Sequence, residues 1–134
     1  MKELDFTGYE NALKTLKTAI KKSRLNELER DGAIQRFEYT FELAWKMIRK
    51  ALLAMGRAEV SSSPRPIFRD ALEEGLIEDI KNWFAFLEAR NLSTHIYNED
   101  EAENVYNSAK EFLPYAEELL KKLKELKKNE AHEK

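Results

Sequence analysis

The sequence predicts an all-α protein, an up-and-down bundle of four or five helices, and three observations carry that expectation. Only four glycines and three prolines interrupt 134 residues. Most of the chain repeats its apolar residues at three- and four-residue steps, where a half-buried strand would alternate strictly. The 43% of hydrophobic residues, with seven Phe, five Tyr and two Trp, supply one core in one domain.

The first helix is expected over residues 5–24, where Phe6, Tyr9, Leu13, Leu16 and Ile20 form one narrow stripe and Asp5 or Thr7 is available as cap. Asn26 and its charged neighbours then make a polar turn. The second helix is expected from about Asp31 to Met55, stopping at Gly56 because glycine accepts a left-handed conformation. Its apolar residues lie on two sides. Ile34, Phe37, Phe41, Trp45, Ile48, Leu52 and Met55 form one, and Tyr39, Leu43, Met47 and Leu53 form the other. Such a helix is either central to a bundle or buried against a second copy, so a homodimer is expected.

In SSSPRP, Ser61 to Pro66, a cap residue precedes prolines that a first helical turn tolerates, which predicts a short helix from about Pro64 to Glu74 ending at Gly75. Residues 78–91 form the next helix, with Ile80, Trp83, Phe84, Phe86 and Leu87 inward. Asn98 followed by Glu101 has capping-box spacing and opens a final helix, apolar on one face from Ala102 to Leu123. Pro114 inside it removes one backbone donor and should bend it. Past Leu126 the residues KKNEAHEK carry no apolar face. The bundle is therefore expected to span residues 1–126, with 127–134 a frayed polar tail in which His132 has no role.

A net charge of −2 gives no global field to gather a polyanion, so any nucleic acid must be held by a local cluster of arginines. The absence of cysteine excludes disulfides, thiolate nucleophiles and thiolate metal sites together. No apolar run approaches the roughly twenty residues of a membrane span, and nothing at the N-terminus reads as a signal sequence. A cytoplasmic protein is expected.

Chemistry concentrates in RNLSTHIY, Arg90 to Tyr97, which holds one of only two histidines. At about 100° per residue, five residues turn through roughly 500°, leaving Arg90 and His95 roughly 140° apart on an unbroken helix. They can cooperate only if the helix breaks between them or if two chains meet there. Asn91 could make the break from a left-handed position. From spacing alone, a capping or core histidine beside a surface arginine is as good a reading as a catalytic pair.

Other polar groups have plainer readings. Glu38 and Glu42 share a helix side and Glu42 sits four residues before Lys46, which fits an ion-paired face better than a metal site. No histidine follows at the three-residue offset of di-iron bundles, and no metal or other cofactor is expected. Trp45 and the phenylalanines fit apolar faces, and Ser61 to Ser63 read as turn and cap.

Arg90-x4-His95-x-Tyr97, with Asn91 directly after the arginine, resembles the signature of the HEPN superfamily. The longer blocks RDGAIQRFEYTFELAWK at 30–46, FRDALEEGLI at 68–77 and RNLSTHIYNEDEAENVY at 90–106 resemble the nucleotidyltransferase substrate-binding proteins of that superfamily, over roughly residues 5–125. The resemblance implies a homodimeric HEPN-type bundle, the substrate-binding subunit of a two-component system whose minimal nucleotidyltransferase is a separate chain. RNA or a nucleotide is the implied substrate class. It also implies the alternative of a metal-independent ribonuclease toxin, in which Arg90 and His95 of two subunits face each other as the catalytic pair. Asn91 would support them, and AMP transferred to Tyr97 would silence the site. The chain itself lacks the Gly-Ser and spaced-aspartate pattern of a nucleotidyltransferase, so transfer chemistry belongs to a partner.

Overall fold

The structure is a computed structural model that describes residues 4–21 and 25–133, with side chains through Asn129. Five helices follow one another: α1 (Thr7–Ile20), α2 (Glu27–Ala54), α3 (Pro64–Glu73), α4 (Ile80–Leu92) and α5 (Glu99–Glu133). A single 3-10 turn, Ser93–His95, joins α4 to the loop before α5, and the described residues contain no strand. Residues 22–24, expected at the end of the first helix, and the side chain of His132 lie outside the described residues.

Long-range polar contacts fix the helix directions. Lys127 near the end of α5 donates to Leu4 O, and Lys124 pairs with Glu10, so α1 and α5 run antiparallel. Arg30 in the first turns of α2 pairs with Glu99 at the start of α5, so those two run parallel. Glu78 just before α4 pairs with Lys122, and Asn82 Nδ2 donates to Tyr115 Oη, which makes α4 antiparallel to α5. Helix α2 is central and packs against each of the other four. It buries Ile34, Phe37, Phe41, Ile48 and Leu52 against Phe68, Trp83, Phe86 and Phe112.

Both glycine stops are as expected, with Gly56 at φ +94° and Gly75 at φ +75°. Asp5, one residue before the N-cap position that Phe6 occupies, accepts from Thr7 N at the start of α1 at 2.9 Å. Three boundaries or faces differ from the sequence reading. Helix α2 starts four residues early, because Asn26 is its cap and not a turn: Asn26 Oδ1 accepts from Glu29 N while Glu29 Oε1 accepts from Asn26 N. The second apolar side of α2 divides, with Met47 buried, Leu43 half-buried, and Tyr39 and Leu53 54% and 43% exposed. Helix α5 runs through Pro114 and on past Leu126 to Glu133. Lys127 supplies a reason for the extension, since its ammonium lies 5.3 Å from the centroid of the Phe6 ring and covers the base of α1.

Candidate functional site

The last turn of α4 ends at a change of backbone, and the local side chains explain it. Ser93 Oγ donates to Arg90 O at 2.6 Å and Thr94 Oγ1 donates to Asn91 O at 3.0 Å, so side chains take the carbonyls that the next helical turn would have used. Ser93 N still reaches Ala89 O, the chain tightens into the 3-10 turn, and Ile96 becomes extended at φ −87°, ψ 118°. A break between Arg90 and His95, one of the two arrangements under which they could cooperate, is therefore present. Asn91 does not make it, since no residue other than glycine has positive φ among the described residues.

Ile96 is half-buried and packs on the core. Because extended backbone sends alternate side chains to one side, His95 and Tyr97 fall together, with ring centroids 6.5 Å apart and a 32° tilt. Both are exposed, Tyr97 to 82%. Glu101 reaches back from α5, accepting from Tyr97 N at 3.1 Å through one oxygen and from Asn98 Nδ2 through the other, while Asn98 Oδ1 accepts from Glu101 N. The expected capping box is thus shifted by one residue on its return bond. Arg30, buried among acidic neighbours, ties the start of α5 down through Glu99, whose carboxyl its guanidinium holds below the usual value.

Arg90 points the other way. Its Nη2 donates to Glu42 Oε2 at 2.9 Å and its Nη1 lies 3.4 Å from Asn91 Oδ1. Glu42 also faces Lys46 at 3.8 Å, so the ion-paired reading of that carboxylate holds, with an arginine partner the sequence did not reveal. Arg90 and Asn91 line a groove of about 570 Å³ between α2, α3 and α4, floored by Phe41 and Leu87. Within one chain, then, His95 and Tyr97 come together, Arg90 and Asn91 come together, and no hydrogen bond joins the two pairs among the described residues.

The other tyrosines sort less simply than their helical positions predict. Tyr9 is 1% exposed, donates to Ala116 O at 2.7 Å, and burial pushes its phenol well above the usual range. Tyr106 is buried, which raises its phenol also, and Tyr115 is hydrogen-bonded to Asn82. Tyr39 belongs to an apolar face that would hide its hydroxyl. It is instead more than half exposed on the middle of α2, because the core takes only the opposite side of that helix there.

A five-helix bundle with a polar, exposed break between its last two helices defines a binding module that carries candidate chemistry at a helix junction. The chain belongs to the family described as nucleotidyltransferase substrate binding protein like, which matches residues 4–125. A crystal structure of a Thermus thermophilus protein shares the fold at a TM-score of 0.78 and 35% identity, covering 86% of this chain and 98% of that one. A Haemophilus influenzae structure, described as the fold of a substrate binding domain of a nucleotidyltransferase, matches at a TM-score of 0.80 and 28% identity, over 90% of this chain and 99% of that one. A protein named probable ribonuclease HepT, from Haemophilus influenzae, is 35% identical over 97 residues, 70% of this chain and 66% of that protein's length.

Proposed function

We propose that this chain is the substrate-binding subunit of a two-component nucleotidyltransferase system and that Tyr97 is the group it presents to a separate minimal transferase. The family supports the first part, and the exposure of Tyr97 carries the second: the residue is 82% exposed while its backbone is fixed by Glu101. In the transfer, the phenolic oxygen attacks the α-phosphorus of ATP, the bond to the β-phosphate breaks and pyrophosphate leaves. The phenolic proton passes to a base of the transferase. The test is incubation with the partner transferase, ATP and Mg²⁺, followed by intact and peptide mass measurement. A mass gain of one AMP on the peptide containing Tyr97, absent in Tyr97→Phe, is expected. An unchanged mass, or label on the exposed Tyr39, removes Tyr97 from the site.

A second reading, a ribonuclease, is favoured by the helix break between Arg90 and His95 and by the name of one relative. In a homodimer, His95 of one protomer would take the proton of a ribose 2'-hydroxyl as its oxygen attacks phosphorus. Arg90 of the other would hold the phosphate as the 5'-oxygen leaves, taking up a proton from water. The products are a 2',3'-cyclic phosphate and a 5'-hydroxyl, without a metal. AMP on Tyr97 would fill the space beside His95 and add negative charge there. Arg90→Ala and His95→Ala should each abolish cleavage while far-UV circular dichroism stays unchanged, and cleavage by the parent should survive EDTA. Cleavage that persists in either variant defeats this assignment.

A further inference from the structure

The groove that Arg90 lines is cationic well beyond Arg90. On α3, one helical turn apart, Arg65 and Arg69 face the same ring, their guanidinium carbons 5.2 and 5.7 Å from the centroid of Phe84. Neither has a carboxylate within ion-pair distance among the described residues. Several other arginines contrast with this: Arg30, Arg57 and Arg90 are paired with acidic groups, and Arg49 donates to Ser61 O. A guanidinium held against an aromatic face loses little hydration, and its in-plane N–H groups stay directed outward, the geometry suited to bidentate contact with phosphate. Glu42 is the one carboxylate lining this groove, against three arginines.

The same imbalance continues across Trp45. A neighbouring groove of about 550 Å³ shares that residue and is lined by Lys46, Arg49 and Lys50 with Asp5 as its one carboxylate. Two adjoining grooves with three cations to one acid each form a strongly basic surface on a chain whose net charge is −2. The bases of Arg65 and Arg69 are separated by about 6 Å along α3. Cations spread over both grooves suit the repeated phosphates of a strand better than the clustered phosphates of one nucleotide.

We propose that these two grooves form a track for the phosphodiester backbone of a single RNA strand, leading over Arg65 and Arg69 to Arg90. The proposal deepens the ribonuclease reading and rests on it. Arg65 and Arg69 position the strand through its phosphates and take no part in bond cleavage, so they should govern affinity with little sequence preference.

The test uses the full chain carrying His95→Ala, so that bound RNA stays intact, and a fluorescent single-stranded oligoribonucleotide of mixed sequence followed by anisotropy. Arg65→Gln/Arg69→Gln should weaken binding about tenfold and flatten the slope of log affinity against log salt by about 1.4, the value for two lost contacts to a single strand. The comparison variant is Lys14→Gln/Lys121→Gln, which removes the same charge from the groove between α1 and α5 and should change affinity less than about threefold. If both double variants lose affinity equally, or the arginine pair loses none, the track is overturned while the ribonuclease reading stands. A changed sedimentation coefficient in the arginine variant would assign this face to a protein interface and overturn it too. If the His95→Ala chain binds no RNA and the parent cleaves none, the ribonuclease reading falls and the track with it.

Discussion

The centre of the bundle and the junction between α4 and α5 are held by opposite means. At the centre, Phe112 is fully buried and meets the rings of Phe37, Phe41, Trp83 and Phe86 at centroid distances from 5.3 to 5.7 Å. Each of those neighbours also touches another ring, so the arrangement is enforced by many non-directional contacts. At the junction, Leu92 and Tyr97 are 62% and 82% exposed, and shape rests on hydrogen bonds that the Ser93 and Thr94 hydroxyls donate and that the Asn98 and Glu101 side chains accept. Ile96 packs the junction on the core. The contrast teaches that this fold confines its packing energy to a region the candidate chemistry does not use. Exchanging the exposed side chains of His95 or Tyr97 should therefore leave the scaffold undisturbed.

The largest effect that sharpens this comparison is expected at Phe112. Phe112→Ala should cost about 3–5 kcal/mol, from lost burial and the cavity left among four rings. His95→Ala, at an exposed position, should stay within about 0.5 kcal/mol. Urea denaturation of both variants measures the difference, and comparable losses would show that the junction is part of the cooperative core. A smaller effect is expected at Glu99. Its hydrogen bond from Arg30 lowers its pKa below the ordinary 4.5, so the stabilisation it gives is present above that pH and is lost as pH falls through the lower folded value. Glu99→Gln should therefore lower the urea midpoint slightly at neutral pH, with the gap to the parent closing as the solution is acidified below 4.5. A gap that persists in acid would mean that Arg30 holds α5 by packing and not by charge.

The parts of the fold legible in the sequence are those that local chemistry decides. The apolar period locates α1, α2, α4 and α5, the serines and prolines from Ser61 to Pro66 mark the start of α3, and Gly56 and Gly75 stop α2 and α3 in the left-handed conformation that glycine accepts. The start of α2 escapes the apolar period although its signal is local, since Asn26 and Glu29 have the same spacing as Asn98 and Glu101. The fates of Tyr39 and Leu53 are not legible, because which side of a two-sided helix meets a neighbour depends on the packing of four others. At the candidate site, the exposed junction and the break between Arg90 and His95 follow from the sequence. The pairing of Arg90 with Glu42, 48 residues away, does not. Arg65 and Arg69 carry a readable signal, an arginine pair four apart in RPIFRD. Only the structure shows that both lie over the ring of Phe84.

The hydrogen bond from Tyr9 to Ala116 joins residues 107 positions apart in the chain. On a ribosome adding about 5–20 residues per second, the partner of that phenol appears on the order of 5–20 s after the tyrosine itself. Phe112 arrives at nearly the same late moment, so through most of synthesis α2 has no fifth helix to cover its apolar face. Until α5 is made, the face of α2 that it covers has no partner, and it is during that interval that a chaperone would find the most surface to hold.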